Sequence, residues 1–374
     1  MSSDLKKKRG LMGILEETIG IILGIIVMVD IFLQILYARA NKTPISTPLA
    51  NFLWRSMVKV TKPLDHNVRD FILTFSGPVI LVLVLTSWAL LLSVAVALFI
   101  HPNLGTGIQA TQGETPTDFI TALYVGGSSL SFIGASDFSP ENSFFRMFYL
   151  VTSLLGVSLV SLNVTYLMQL YTSLQARNAL GLKVHLHTGE TGDAALAVAE
   201  LGSEGMFDAG YQILAEWATE TADVKESHHF YPILFYFRFR ETHYSVSQRS
   251  LTTLDTVSLI KTALDEKEFG WLRHSAAVEE LWNASMLELR TLAKNFIPKE
   301  NVNVSPDPKT RALWQRRYEA AVERMKQSGI KTTKDGVEEY IALRSRWNGY
   351  IAALAPHFAF DMDEIDPTMA KLKQ

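Results

Sequence analysis

Apolar residues are concentrated in three long stretches in the first half of the chain, at about 18–38, 71–100 and 144–174. A helix needs roughly 20 apolar residues to cross a bilayer, so the pattern predicts three membrane-spanning helices. The first stretch is apolar on all sides, which favours a spanning helix over an interfacial one. It is also too long for the core of a signal peptide, and no small-residue cleavage site follows it.

In the second half of the chain, apolar positions recur at the spacing of a soluble helical domain. Residues 181–192 are expected to form a linker with a short strand, and Pro298, Pro306 and Pro308 indicate a subdivision near 297–307. Helices are predicted at about 193–202, 208–222, 230–240, 247–266, 275–294, 308–328 and 335–354.

Charge follows the same division. Of the 35 Lys and Arg and 38 Asp and Glu residues, only 12 and 10 lie in residues 1–180, and hydrophobic residues make up 48% of the 374 positions. This split excludes a wholly soluble protein. The net charge of −3 gives no basic excess for nucleic acid. The absence of cysteine excludes disulfides, thiolate zinc sites, iron–sulfur clusters and cysteine nucleophiles.

The distribution of basic residues predicts the topology. Residues 101–145 contain no Lys or Arg, whereas the linker 39–70 contains six. The positive-inside rule places this linker and residues 179–374 in the cytoplasm and 101–142 outside. A spanning first helix then puts the basic N-terminus outside, against the same rule. Asp30, within the first apolar stretch, is expected to be a functional ionisable group, or to reach the interface or pair with a neighbour near the helix end.

A short helix is predicted between the second and third apolar stretches. Residues 117–130 begin after Thr115-Pro116, with Asp118 in the first turn, and are too few to span. Small residues ending at Pro140 follow them. Irregular backbone at membrane depth is tolerated where it lines a water-filled path. The negative end of the helix dipole would attract a cation there. This layout indicates a pore loop.

The same region resembles the potassium-channel-like pore-loop family of bacteria over about residues 71–175. The residues that match the family pattern are Ala122, Leu123, Tyr124, Leu130, Gly134, Asp137, Pro140, Arg146, Phe148 and Gly156. The resemblance implies a homotetramer that conducts monovalent cations, K⁺ or Na⁺, with Asp137 at the outer mouth and Gly156 as an inner-helix hinge or packing residue. It places the selectivity filter at Phe132, Ile133, Gly134, Ala135 and Ser136.

Three residues of this filter depart from the family's T-V-G-Y-G. Phe132 lacks the threonine hydroxyl of the innermost ion site, and Ala135 lacks the tyrosine ring that packs behind the filter. Ser136 replaces the second glycine and disfavours the positive φ that glycine allows. We therefore expect a cation pore with weak preference for K⁺ over Na⁺.

A polar stripe on the third apolar helix is the expected pore wall. Its residues fall on one face at a period of 3.6. They are Ser158, Ser161, Thr165, Gln169 and Thr172. The alternative is packing between helices, with hydroxyls bonded back to their own helix. Likewise, residues 126–136 have the alternative of an ordinary external loop over a three-helix anchor.

The second half shows no catalytic motif. There is no nucleotide-binding glycine pattern and no P-loop. No metal site is predicted, because the pairs His185/His187 and His228/His229 have no completing ligand. The carboxylates at 361–366 suit a solvated tail better than a Ca²⁺ loop. We expect no enzyme activity, no catalytic residues and no cofactor.

The expected fold class is therefore an all-α membrane protein. It comprises an N-terminal helix with a basic linker (1–70), a pore module (71–178) and a helical cytoplasmic domain (179–374) that gates or assembles the channel. Its partners are the lipid bilayer of the inner (plasma) membrane, three further copies and an unidentified cytoplasmic ligand. The alternative function is a non-conducting membrane sensor or scaffold that retains the channel fold.

Overall fold

The computed structural model describes residues 2–37, 42–131, 133–297 and 306–373, without the side chains of 2–9 and 295. Phe132 of the expected filter and most of the expected subdivision at 297–307 lie outside this part of the chain. The protein is mostly helical, at 79%. A short two-stranded sheet is added to the expected helices.

The chain forms two compact units. One comprises Met1–Ser56 and Pro78–Tyr171, and the other comprises Met57–Gly77 and Thr172–Gln374. The elements up to the last apolar helix are α1 Ser2–Ile31 with a π-helical end Phe32–Leu36, α2 Ser46–Thr61, α3 His66–Thr74, α4 Ser76–Ile100, β1 Ile108–Ala110, α5 Phe119–Leu130, β2 Phe138–Pro140 and α6 Ser143–Leu186.

Three helical stretches are long and apolar enough to cross a membrane: Gly10–Leu36, His66–Asn103 and Ser143–Leu186. The prediction of three such helices is confirmed. Many of their apolar side chains are exposed, Met168 of α6 by 68% and Val82 of α4 by 61%. Exposed apolar surface of this extent suits lipid or another chain better than water.

Helices of the first unit approach one another closely at glycines. A Cβ on Gly20 of α1 would lie 2.6 Å from the Ala95 carbonyl oxygen of α4, and one on Gly126 of α5 would lie 2.9 Å from the Ala97 nitrogen. Small residues allow such backbone contacts between membrane helices.

Asp30 pairs with neighbours, one of the three roles expected for it. Its buried carboxylate accepts hydrogen bonds from the Ile45 and Ser46 N–H groups at 2.6 and 3.1 Å, from the Ser46 hydroxyl, and from Trp88 Nε1 at 2.8 Å. It therefore joins α1 to α4 and to the start of α2. A buried carboxylate with this many donors is compensated for its lost hydration.

The second unit is a helical domain. After α3 and the end of α6 it contains α7 Ala194–Leu201, α8 Asp208–Phe230, α9 Val246–Ala263, α10 Glu266–Arg273, α11 Ala276–Phe296, α12 Pro308–Gln327, α13 Val337–His357, α14 Met362–Ile365 and α15 Pro367–Lys373. Helix α9 is its centre, with every residue buried except Lys261. Its hydroxyls bond back to the helix, as Ser258 does to Leu254 and Thr262 to Ser258.

Two local predictions are wrong. The linker and strand expected at 181–192 are instead the last turns of α6, followed by a turn with positive φ at Gly189 and Gly192. The helix expected at 230–240 is a 3₁₀ turn, Pro232–Tyr236. In this segment the Arg177 side chain donates hydrogen bonds to the Leu234 and Phe237 carbonyls. In an α-helix these carbonyls would accept from backbone N–H groups.

Candidate functional site

The two ends of the segment between α4 and α6 lie side by side. Strand β1, just after α4, pairs antiparallel with β2, just before α6, in the register Ile108↔Pro140 and Ala110↔Phe138. The Thr111 N–H extends the pairing with a 2.8 Å hydrogen bond to the Asp137 carbonyl oxygen. Residues 111–137, called here the returning segment, are therefore closed at their base.

Helix α5 lies inside the returning segment and spans 12 residues. That is about 18 Å, well short of a hydrocarbon core of about 30 Å. Asp118 caps it, accepting hydrogen bonds from the Thr121 hydroxyl at 2.7 Å and the Thr121 N–H at 3.0 Å. These bonds hold the pKa of Asp118 below its usual value. The cap fixes where the helix begins.

One face of α5 packs into a small apolar core. Ala122 and Val125 are fully buried and join Ala97 and Ile100 of α4, Ile108 of β1 and other apolar residues. The returning segment is thus anchored along its helix as well as at its base.

The end of α5 is held by α6. A Cβ on Gly156 of α6 would lie 1.8 Å from the Leu130 carbonyl oxygen, closer than any side chain can come. Gly156, expected as a hinge or packing residue, therefore lies in direct contact with the C-terminal end of α5. After Leu130 the helix stops at Ser131, whose hydroxyl donates to the Ser128 carbonyl and accepts the Ile133 N–H.

The described residues of the expected filter, 133–136, follow this stop. Ile133 is 90% exposed, Gly134 and Ser136 are exposed, and Ala135 is buried. Gly134 has a φ of +67°, a conformation that favours glycine. Ser136 is not among the described residues with positive φ. Instead, the Phe138 N–H bonds to the Ala135 carbonyl at 3.2 Å and closes a turn.

Asp137 is exposed and tied at two points. The Tyr124 hydroxyl of α5 donates to its Oδ1 at 3.0 Å, and its carbonyl oxygen accepts the Thr111 hydroxyl at 3.2 Å as well as the Thr111 N–H. The sequence pattern identifies Tyr124 and Asp137 separately but does not predict the contact between them.

The polar stripe is exposed along α6. All five of its residues, Ser158, Ser161, Thr165, Gln169 and Thr172, are exposed on α6. Two hydroxyls bond back to the helix, Ser158 to the Leu154 carbonyl at 2.8 Å and Thr165 to the Ser161 carbonyl at 3.0 Å. Such bonds satisfy the hydroxyl donors and leave their oxygens available as acceptors.

The other face of α6 borders a cavity of about 280 Å³ within the first unit. Its lining includes Trp88, Gly127, Leu130, Gly156 and Asn163. Within the described part of the chain, the buried Asn163 Oδ1 has no hydrogen-bond partner. The sequence did not reveal this cavity, since the lining comes from four separate helices.

The histidine pairs of the second unit do not converge. The His185 ring stacks on His243 at 4.4 Å, whereas His187 lies beside Trp217 and Glu200. His228 is buried 3.3 Å from Glu288, and burial lowers its pKa to about 4. A largely neutral His228 is therefore expected at neutral pH.

The carboxylates at 361–366 are engaged separately. Asp366 pairs with Arg344 at 2.6 Å, Asp363 pairs with Lys373 at 2.5 Å, and Glu364 lies 2.7 Å from His66. They do not form one shared Ca²⁺ loop.

Comparison with known proteins identified no relative of the chain. No family model, no curated protein and no solved structure matches the chain.

Proposed function

We propose that the chain is one subunit of a homotetrameric pore-loop cation channel with little preference for K⁺ over Na⁺. The observation that carries the proposal is the returning segment: a helix too short to span, followed by an irregular turn, with both ends joined by the β1–β2 pair. A segment that enters and leaves on one side of a membrane in this way is the form that a pore loop takes.

Exposure within one protomer supports assembly. Ile133 and Gly134 at the tip of the returning segment, and the polar stripe of α6, are uncovered. A single chain supplies one such tip, and a ring of coordinating carbonyls needs several copies around an axis. Packing four copies about the stripe would cover these surfaces and line an aqueous path with hydroxyl and amide oxygens.

The charges around the returning segment support the proposal that the permeating ion is a cation. The chain between residues 101 and 145 has no Lys or Arg but has Glu114, Asp118, Asp137 and Glu141. The carbonyl end of α5 adds the negative end of its dipole beside the turn. Both features lower the energy of a cation at this position.

The contacts of α1 support its role as an antiparallel spanning helix. Glu16 Oε2 lies 2.6 Å from His101 Nδ1, and Asn103 donates to Glu17 at 2.8 Å. At the other end Asp30 meets Trp88. The positive-inside rule favours 101–142 outside a bacterial inner membrane. In our proposal the N-terminus then lies outside, and residues 179–374 lie in the cytoplasm, where they would gate or assemble the channel.

The first test is reconstitution of the purified protein into liposomes, with mass photometry of the same sample in mild detergent. We expect tetramers and a K⁺ and Na⁺ flux that empty liposomes lack. A monomer or dimer at all concentrations would contradict the pore. A tetramer without flux would favour the second candidate, a non-conducting sensor or scaffold. The back-bonded Ser158 and Thr165 hydroxyls are compatible with that function, because packing needs no wetted wall.

Asp137→Asn is expected to reduce cation conductance several-fold at low ionic strength and little at high ionic strength. The reason is that a ring of four carboxylates concentrates cations, and salt screens it over a Debye length of roughly 10 Å at 0.1 M. Single-channel conductance across a salt series measures the effect. Tyr124→Phe is the control, since it removes the 3.0 Å hydrogen bond to Asp137 and keeps the charge. An equal loss at every salt concentration would assign Asp137 a bracing role instead.

The variant Phe132→Thr, Ala135→Tyr, Ser136→Gly is expected to gain K⁺ preference over a weakly selective parent. It restores the hydroxyl site, the packing ring and the glycine of the family pattern, and so adds ordered coordinating oxygens. Bi-ionic reversal potentials measure the ratio, and each tenfold change in permeability is about 1.4 kcal/mol of discrimination. A parent channel already selective for K⁺ would contradict weak selectivity. An unchanged variant would show that these residues do not form the filter.

A further inference from the structure

Three metal-ligating side chains converge in the second unit, outside the site described above. One nitrogen of His66 and one oxygen each of Asp70 and Glu364 lie within 4.8 Å of one another. His66 Nε2 is 2.7 Å from Glu364 Oε1, and His66 Nδ1 is 3.8 Å from Asp70 Oδ2. The ligands come from two segments separated by almost the whole chain.

Local structure places each ligand. Asp65 caps α3 by accepting the Asn67 N–H at 3.2 Å, so His66 opens the helix. Asp70 follows four residues later and therefore lies on the same face one turn on. Glu364 belongs to α14, where a capping box with Asp361 holds its backbone and side chain.

Each carboxylate is anchored by one oxygen and leaves the other toward His66. Asp70 Oδ1 accepts Arg238 Nη2 at 2.8 Å, while its Oδ2 faces the imidazole. Glu364 Oε2 accepts the Asp361 N–H at 2.9 Å, while its Oε1 faces the imidazole. Partners that orient ligating carboxylates in this manner are typical of metal sites.

The three side chains differ in burial. The Asp70 side chain is 5% exposed, that of Glu364 27% and that of His66 48%. The site is thus buried on the Asp70 side and open to solvent on the His66 side, where a water can enter as a fourth ligand.

We propose that His66, Asp70 and Glu364 bind one Zn²⁺ ion. Zinc takes nitrogen and oxygen ligands at about 2.0–2.2 Å, which puts tetrahedral ligand atoms roughly 3.4 Å apart. Glu364 faces His66 Nε2 and Asp70 faces His66 Nδ1, so zinc binding requires the half-exposed ring to turn one nitrogen toward both carboxylates. An imidazole ligand disfavours Mg²⁺ and Ca²⁺, which prefer oxygen ligands alone.

The bound ion would tie α3 to the corner between α13 and α14. Arg69 and Arg238 already donate to the Ala359 carbonyl of that corner at 3.2 Å each, and Ala359 has a φ of +61°. Zinc adds a link across the same junction, immediately before α4 in the chain. This site does not depend on the channel proposal.

The test uses tag-free full-length protein in detergent, stripped with EDTA and titrated with zinc chloride alone. We expect one zinc per chain at saturation by elemental analysis after gel filtration, and a rise in melting temperature. His66→Ala and Glu364→Gln should each weaken this binding at least tenfold while melting like the parent in EDTA. Cobalt(II) in place of zinc should give the visible absorption of a tetrahedral site, absent in both variants.

The control is His274→Ala. His274 Nε2 lies 3.2 Å from Glu266 on α10, so it has the same donor types without a third carboxylate facing it among the described residues. Zinc binding equal to that of the parent in the His66 and Glu364 variants would overturn the proposal, as would a parent that binds none. In that case the cluster is a histidine–carboxylate pair and no more.

Discussion

Gly156→Ala is expected to abolish the proposed channel activity and to lower the melting temperature of the first unit. The added methyl would lie 1.8 Å from the Leu130 carbonyl oxygen and 2.8 Å from its carbon. Backbone cannot yield as a flexible side chain can, so α6 must separate from the end of α5. Overpacking of this kind costs about 1–3 kcal/mol, and more where backbone must move. Because Leu130 lies a few residues before the turn that Ala135 and Phe138 close, the displacement reaches the proposed filter.

Gly127→Ala is the matched control. It adds the same methyl to a helical glycine, where the nearest atom, Ser93 Oγ, would be at an ordinary 3.4 Å. Both changes gain similar helix propensity, about 1 kcal/mol, so their difference isolates the contact with Leu130. Liposome flux and thermal melting of the two variants provide the measurement. Parent-like flux in Gly156→Ala would show that this contact does not hold the returning segment.

Asp255→Ala is expected to lower the melting temperature of the helical domain by roughly 10 °C, the equivalent of about 3–5 kcal/mol for a domain of this size. Asp255 lies at the centre of α9 and accepts hydrogen bonds from Arg317 at 3.0 Å, Arg344 at 3.1 Å and the Tyr340 hydroxyl at 2.7 Å. Its removal leaves two buried guanidinium groups without their shared carboxylate.

The pH dependence of this contribution has a definite sign. Burial by itself would raise the pKa of Asp255, but the charges of Arg344 and Arg317 outweigh it and hold the pKa below its ordinary value of 3.8. The folded state therefore binds the proton less readily than the unfolded chain. The stabilisation is complete at neutral pH and is lost only as the pH falls below that value.

The control for Asp255 is Glu338→Ala. Glu338 forms an exposed ion pair with Arg311, and such surface pairs contribute about 0–1 kcal/mol. Thermal melting of full-length protein, followed by tryptophan fluorescence, compares the two. Equal melting temperatures for Asp255→Ala and the parent would show that the arginines find other partners.

Helix α9 shows how far the sequence could predict the fold. Its helical period was evident, and the predicted bounds of 247–266 are close to the observed Val246–Ala263. Its almost complete burial was not evident, because Ser, Thr, Gln and Arg residues make it as polar as a surface helix. The burial depends on hydroxyls that bond within the helix and on charges supplied by α11, α12 and α13, such as Glu288 for Arg249.

The candidate site divides in the same way. Asp118 was recognisable in the sequence as the start of a helix. Tyr124 was recognisable from the resemblance of residues 122–124 to a pore-helix pattern, because both signals are local. The pairing of Ile108 with Pro140 was not recognisable, since a three-residue strand has too few positions to show a period.

By itself the sequence determined the three apolar helices and the helical character of the second half. Both depend on local periodicity and on the thickness of a bilayer, and each is written in consecutive residues. Only the tertiary structure decided which groups meet: Gly156 with Leu130, Tyr124 with Asp137, and His66 with Glu364. These contacts join positions 13 to almost 300 residues apart. Hydrophobic periodicity reports only local structure, so it cannot show which distant residues come into contact when the chain folds.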